Sequence, residues 1–246
     1  MGQIAIITAT YNSARELPVL IDSLRQQTCH EFEWIVVDGA SSDDTLAILK
    51  TADIANKKIV SEPDRGIYDA LNKGIRLSSS DYYLIVGSDD YLTPEAIEQY
   101  AAALRGEAPD LITAPIMAGE IKVSPAETLG RFRSGPASVS AHSVGTVIRK
   151  QLHEIHGYYS LSFTIAADTH FLRKVVRSPT VRIRVLPTIA GRFGMKGHSS
   201  KDRLATLTDS FRANVAAGEN LFLQWFLFSL RLIKNLPRIL KDRAKS

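Results

Sequence analysis

From residue 3 to residue 114 the chain alternates short apolar runs with stretches of helical period, and that rhythm leaves few folds open to it. Residues 3–8, 32–37, 58–61, 82–86 and 111–114 read as strands. Between the first two, Leu17, Leu20, Ile21 and Leu24 fall at i, i+3, i+4 and i+7, one face of a helix. Pro18 fits only a first turn, so that helix starts near residues 15–17. Asp38-Gly39-Ala40-Ser41-Ser42-Asp43-Asp44 is a loop rich in capping residues, leading into a helix that ends near Lys50. Tyr68, Leu71 and Ile75 mark a third helix, and Pro94 opens a fourth through about Leu104. Strand–helix–strand repetition with short links implies βαβ units and a mostly parallel sheet. Ligands bind such sheets outside the carboxyl ends of the strands. Asp38 ends the second strand and Asp89 and Asp90 end the fourth, so all three are expected on one rim.

Beyond Ala118 the pattern loosens. Residues 134–143 (SGPASVSAHS) read as an irregular loop, 146–149 and 181–186 as strands, and 168–176 and 203–217 as helices. Residues 192–201 (RFGMKGHSSK) carry the Gly and Ser punctuation of a mobile loop. A last helix is expected over residues 221–240, interrupted at Pro237. The single cysteine, Cys29, excludes an intrachain disulfide and favours a reducing compartment. The opening MGQIAIITATYN reads as a strand rather than a signal peptide. The net charge of +4 belongs to the tail: residues 231–246 hold a net +5, leaving the rest at −1. A basic tail on a near-neutral body speaks against a nucleic-acid partner and for a local anionic contact.

The adjacent carboxylates of Asp89 and Asp90 repel unless something positive joins them. They could simply favour the helix start at Thr93-Pro94. The alternative is a divalent cation carrying a nucleotide diphosphate, since Mg2+ and Mn2+ take one or two carboxylates plus phosphate oxygens and water. Gly87 and Ser88 would leave room for that ligand to approach.

Three segments weigh on the choice: IVVDGASSDDT (residues 35–45), EPDRGIYDALNKGI (62–75) and YLIVGSDDYLTP (83–94). In this order and spacing they resemble the family 2 glycosyltransferases of GT-A fold, densely over residues 3–115 and more weakly over 116–205. The resemblance implies an α/β fold of GT-A (Rossmann-like) type, a mostly parallel central sheet flanked by helices with a C-terminal helical extension. It divides the chain into a domain over 1–205, with a nucleotide-sugar half (1–115) and an acceptor or catalytic half (116–205), followed by helices over 206–246. It implies that Asp38 contacts the nucleotide base with Thr8 and Tyr11 beside it, and that Asp64 lies on the nucleotide side. Ser88-Asp89-Asp90 takes the place of a DXD element, with Ser where many relatives carry a first Asp. Asp90 becomes the metal ligand for Mn2+ or Mg2+, and Asp89 a contact to ribose or metal. Lys73 is a candidate for a phosphate or the sugar, or else an ordinary solvated helix lysine.

Such an enzyme, as the resemblance implies, inverts the anomeric centre in one displacement, and a carboxylate must take the acceptor's proton. Residues 164–173 (TIAADTHFLR) again run apolar into an acid at a helix start. The resemblance makes Asp168 that base; helix capping is the alternative. Gly194-Met195-Lys196-Gly197-His198-Ser199-Ser200-Lys201 resembles a Gly-rich segment of relatives, and Lys196, His198 and Lys201 are candidates to close over the diphosphate. His142, His153 and His156 show no metal-ligand spacing and read as structural. The apolar, aromatic run at 221–230 is too short to span a bilayer, and basic residues follow it at once. It reads as an interfacial helix on an anionic membrane or as a helix packed on protein.

The resulting expectation is an inverting, metal-dependent transferase. It takes a UDP-, GDP- or dTDP-sugar to a glycan or lipid-linked acceptor in surface polysaccharide synthesis, as a cytoplasmic protein peripheral on the inner face of the membrane. A nucleotidyltransferase would release pyrophosphate instead of nucleoside diphosphate. A non-catalytic nucleotide-sugar-binding or membrane scaffold protein would bind without turnover.

Overall fold

A computed structural model of the chain describes residues 4–125, 142–194 and 203–243. The opening alternation folds as the period requires. Strands β1 (Ile4–Thr10), β2 (Phe32–Asp38), β3 (Lys57–Ser61) and β4 (Tyr82–Ile85) are separated by helices α1 (Leu17–Arg25), α2 (Thr45–Thr51) and α3 (Ile67–Leu77). Strand β5 (Tyr91–Leu92), helix α4 (Ala96–Ala103) and strands β6 (Leu111–Thr113), β7 (Ile116–Ala118) and β8 (Ile121–Val123) follow. A 3-10 turn (Ser143–Gly145), β9 (Thr146–Arg149), α5 (Leu152–His156), α6 (Ala167–Val176), β10 (Ile183–Val185) and β11 (Gly191–Phe193) come next. Helices α7 (Arg203–Ala216) and α8 (Leu221–Arg243) end the described chain.

The main sheet has the order β10-β6-β9-β4-β1-β2-β3. Its pairings are parallel except those of β9, which runs antiparallel to both β4 and β6. Strand β9 comes from the second half of the chain yet lies between two strands of the first. A second sheet, β5-β11-β7-β8, uses strands of two or three residues.

Because successive side chains of a strand point to opposite faces, β1 sends Ile4 and Ile6 to one side and Ala5 and Ile7 to the other. Both sides are covered. The first packs against Leu17, Leu20 and Leu24 of α1 and Tyr100 of α4. The second packs against Tyr68, Leu71 and Ile75 of α3 and Phe171 and Val175 of α6. Two covered faces are why these strands read as continuous apolar runs.

Behind the second face lies a buried polar chain. His153 Nδ1 is 3.0 Å from the Gly157 carbonyl, which only accepts, so Nδ1 carries the proton. Nε2 therefore accepts from Tyr83 at 2.7 Å, and Tyr83 in turn accepts from Tyr159 at 2.9 Å. Burial pushes the His153 imidazole down to about 4, so it is neutral in the folded protein. The unfolded chain takes up a proton near the ordinary value, about 6.5, before the folded one does. The stability due to a neutral His153 is thus complete above that value and is lost as pH falls toward 4. The expected loss is up to about 3 kcal/mol at 1.36 kcal/mol per unit. Urea unfolding at several pH values checks it. The gap in stability between the protein and a non-titrating His153→Gln variant should narrow by that amount between pH 7 and 4.

The C-terminal hairpin differs from expectation at one point: α8 runs through Pro237 without a break. It packs on α7 through Phe228 against Phe211, with Asn214 Nδ2 donating to Gln224 Oε1 at 2.9 Å. Residues 192 and 193, expected in a loop, belong to β11. None of the described helices is long and apolar enough to cross a membrane.

Candidate active site

The site begins where β2 ends. Asp38 is fully buried and tied to the ends of both neighbouring strands and to its own turn. Its Oδ1 accepts from Thr10 Oγ1 at 3.1 Å and from the Ser41 hydroxyl, and its Oδ2 from Ser61 Oγ at 2.7 Å and Ser41 N at 3.0 Å. Four donors saturate this carboxylate, so it orients the Asp38-Gly39-Ala40-Ser41 turn as well as marking the rim. Thr8, fully buried on β1, accepts from the Trp34 indole at 3.1 Å. Beside the turn, Asp64 and Tyr11 converge over Gly39. A Cβ added there would lie 2.6 Å from Asp64 Oδ2 and 3.5 Å from Tyr11 Cδ2. The Tyr11 side chain is exposed, and Asp64 Oδ1 is anchored by Gly66 N at 2.8 Å. Lys73 is held by Glu62 at 2.8 Å, Asp69 at 3.5 Å and the Pro63 carbonyl at 3.2 Å.

The two acids after β4 are not equivalent. Asp90 is buried, with Oδ2 accepting from Gly87 N at 2.7 Å and Oδ1 from Gly194 N at 2.9 Å. Burial pushes its carboxyl up to about 7 against the pull of those two N–H groups, and the neighbouring Asp89 charge adds to the rise. Asp89 is half-buried. Gly194 presses on it so closely that a Cβ would fall 2.3 Å from the Asp89 carbonyl oxygen and 2.4 Å from its carboxylate. The chain after β11 therefore crosses directly over both acids, and only glycine allows the crossing. Lys196, His198 and Lys201 lie outside the described residues.

Asp168 sits in the first turn of α6. Its Oδ1 accepts from Tyr68 Oη at 3.0 Å and from Thr169 N at 2.7 Å. Burial raises the carboxyl above the usual carboxylate range, and these two donors oppose the rise. The loop ahead of it is clamped from α7: Asp209 Oδ2 accepts from Ile165 N at 2.8 Å and Ala166 N at 3.1 Å.

His142 joins the two groups of acids. Its Nδ1 lies 3.9 Å from Asp90 Oδ2, and its ring packs on Phe193 at 4.0 Å between centroids. Burial lowers the imidazole to about 4, while the nearby Asp168 and Asp89 charges pull the other way. Read as structural from spacing alone, His142 thus stands in the field of Asp89, Asp90 and Asp168 together. Asp209, Tyr68 and His142 were the functional candidates that motif spacing did not reveal, because each meets the site only through the fold.

Among the described residues no cluster of three or more His, Cys, Asp or Glu side chains is arranged to hold a metal by itself. Two carboxylates at one strand end still fit a hard cation whose other ligands are phosphate oxygens and water.

The family model "Glycosyl transferase family 2" matches residues 5–193. The chain belongs to glycosyl transferase family 2. Within it, a PGL/p-HBAD biosynthesis glycosyltransferase of Mycobacterium bovis is 38% identical over 106 residues, covering 42% of this chain and 41% of that protein. The chain thus matches less than half the length of that relative. An uncharacterized glycosyltransferase of Mycobacterium tuberculosis is 31% identical over 194 residues, covering 74% of this chain and 72% of that one. The fold is that of solved glycosyltransferases. TarS 1–349 from S. aureus in complex with UDP-GlcNAc superposes with a TM-score of 0.67 at 21% identity, covering 98% of this chain and 79% of that one. The mannosyltransferase PcManGT from Pyrobaculum calidifontis, in complex with GDP-Man and Mn2+, gives 0.66 at 19%, covering 99% and 74%. This family 2 chain therefore has the mixed α/β architecture, with its mostly parallel central sheet, that its motifs imply.

Proposed function

We propose that this family 2 member is an inverting, cation-dependent glycosyltransferase that moves a sugar from a UDP-, GDP- or dTDP-sugar to a hydroxyl of a glycan or lipid-linked acceptor. One observation carries the reading. The Asp89–Asp90 pair and Asp168 come from elements far apart in sequence, yet His142 stands within electrostatic reach of both groups. Residues 1–115 serve the nucleotide sugar and residues 116–205 add the acceptor side. Tyr11, Asp64 and Gly39 flank the base, the Asp38 knot and Thr8 hold that rim, and Lys73 meets a phosphate or the sugar by exchanging its contacts to Glu62 and Asp69. Asp90 and Asp89 hold Mn2+ or Mg2+, which supplies Lewis-acid stabilisation of the departing diphosphate. Asp168, with its raised carboxyl, takes the acceptor's proton as the new bond forms. Relatives support the donor class: TarS binds UDP-GlcNAc, and PcManGT binds GDP-Man with Mn2+.

A thermal-shift screen against UDP-, GDP- and dTDP-sugars, with and without Mn2+ or Mg2+, tests the reading. One nucleotide should raise the melting temperature in a cation-dependent way, and turnover should release nucleoside diphosphate. Pyrophosphate release would favour a nucleotidyltransferase, and binding without turnover a scaffold protein.

Helix α8 places the protein on the inner face of an anionic membrane in this reading. Helical period gathers Phe222, Trp225, Phe226, Ile233 and Leu236 on one outward face, with Phe222 82% exposed. The exposed Arg231, Lys234 and Arg238 fall on the other side of the same helix. An aromatic, apolar face opposed by cations on the polar face of the same helix suits a headgroup boundary. Phe222→Ser combined with Trp225→Ser should abolish co-sedimentation with phosphatidylglycerol vesicles and leave the melting temperature unchanged. Undiminished vesicle binding would remove the membrane role.

A further inference from the structure

Tyr68 lies in the second motif, on the face of α3 that periodicity assigns to the core, and its ring is buried against Tyr159 at 5.6 Å. Its hydroxyl nevertheless ends on Asp168, 100 residues further along the chain. We infer that Tyr68 is a positioning residue that holds Oδ1 of Asp168 and so presents Oδ2 as the oxygen that takes the acceptor's proton; the inference rests on Asp168 being the base.

The geometry assigns the two oxygens different tasks. Oδ1 already receives two donors, the Tyr68 hydroxyl at 3.0 Å and Thr169 N at 2.7 Å. Among the described residues no hydrogen bond reaches Oδ2. Tyr68 Oη also lies against the Ile165 carbonyl, a second acceptor for its single proton. While Asp168 is ionised, the hydroxyl points to Oδ1, because a bond to a charged acceptor is the stronger of the two. Once Asp168 is protonated, the hydroxyl can turn to Ile165 at no loss of a partner. The Ile165 carbonyl stays in place for it because Asp209 from α7 holds the Ala166 N–H of the same peptide unit, and the Ile165 N–H before it. In the reaction, the acceptor O–H bond breaks as its oxygen bonds to the anomeric carbon. The proton passes to Oδ2, and the electron pair of the sugar–phosphate bond leaves with the nucleoside diphosphate.

The groups that face Asp168 are few. Tyr68 approaches from α3, His142 from the segment before the 3-10 turn, and Tyr159 and Tyr83 from behind, with the Thr169 N–H on α6 itself. Of these, the Tyr68 hydroxyl and the Thr169 N–H donate directly to the carboxylate. Losing the Tyr68 donor disfavours the ionised form, so the sign is an upward move of the Asp168 pKa.

The test compares the full-length protein with Tyr68→Phe, and with 3,5-difluorotyrosine placed at position 68 as a stronger donor. Two readouts are followed: the 13C-carboxyl titration of Asp168, and the acid limb of kcat/KM for UDP release from UDP-GlcNAc or GDP release from GDP-mannose in Mn2+. For Tyr68→Phe, both should move up by about one pH unit, with kcat about 10-fold lower and donor KM unchanged. The fluorinated residue should move both downward. An unmoved acid limb, with or without a shifted carboxyl titration, overturns the positioning role. Asp168→Asn separates the two ideas. If it turns over normally, the base reading itself is wrong; if it is inactive while Tyr68→Phe keeps the unaltered profile, only the Tyr68 inference fails.

Discussion

Asp168→Asn should lower turnover by about 10²–10⁴-fold, the usual worth of a general base, while leaving donor binding nearly intact. The amide is close in shape to the carboxylate. Its oxygen can still accept from Tyr68 and from Thr169 N, so α6 starts in the same place. What it loses is basicity, and with it any means of removing the acceptor's proton. Initial rates of nucleoside diphosphate release give the first quantity, and the thermal shift produced by the donor gives the second. An equal fall in both would mean that Asp168 holds the fold together and takes no part in the reaction.

The second large effect separates two neighbours that look interchangeable in the sequence. Asp89→Ala should cut cation-dependent turnover by about 10²–10³-fold, as loss of several kcal/mol of Lewis-acid stabilisation implies. Its melting temperature without added cation should fall less than that of Asp90→Ala. Asp89 contributes a like charge next to Asp90, and its removal eases the repulsion that helps to push the Asp90 carboxyl up to about 7. Asp90→Ala should lose turnover and stability together. The Gly87 and Gly194 N–H groups would be left without an acceptor, at a cost of about 1–3 kcal/mol each. Melting curves of the two variants, with and without Mn2+, check the contrast. A Mn2+-dependent rise in melting temperature that survives both substitutions would place the cation elsewhere.

Much of the site was legible because it sits at the ends of strands that announce themselves. Asp38 closes β2 in register with Thr10 and Ser61, and the acids of YLIVGSDDYLTP follow β4 directly. The apolar residues before each acid specify a strand, and a parallel sheet sends every such end to the same rim. The place of Asp168 at a helix start was legible for a related reason, an apolar run stopped by an acid, whereas its role as base was implied by the resemblance alone. The roles within the acidic pair were less so. Spacing cannot tell that Gly194 donates to Asp90 and presses on Asp89, more than 100 residues later in the chain. The second sheet escaped notice because strands of two or three residues carry too little alternation to register.

By itself the sequence determined the parallel βαβ half, its two covered faces and the acidic rim. These follow from local period and from the chirality and shortness of βαβ links, which act over tens of residues. Only the tertiary structure decided how β9 enters antiparallel between β4 and β6, and which side chains meet at Asp168. Tyr68 from α3 reaches its carboxylate, His142 from the segment before β9 stands in its field, and Asp209 from α7 holds the loop ahead of it. Each of these contacts joins residues with no shared periodicity. They are set by which helix faces the buried sides of the sheet cover, a property of the whole packed chain and not of any one segment.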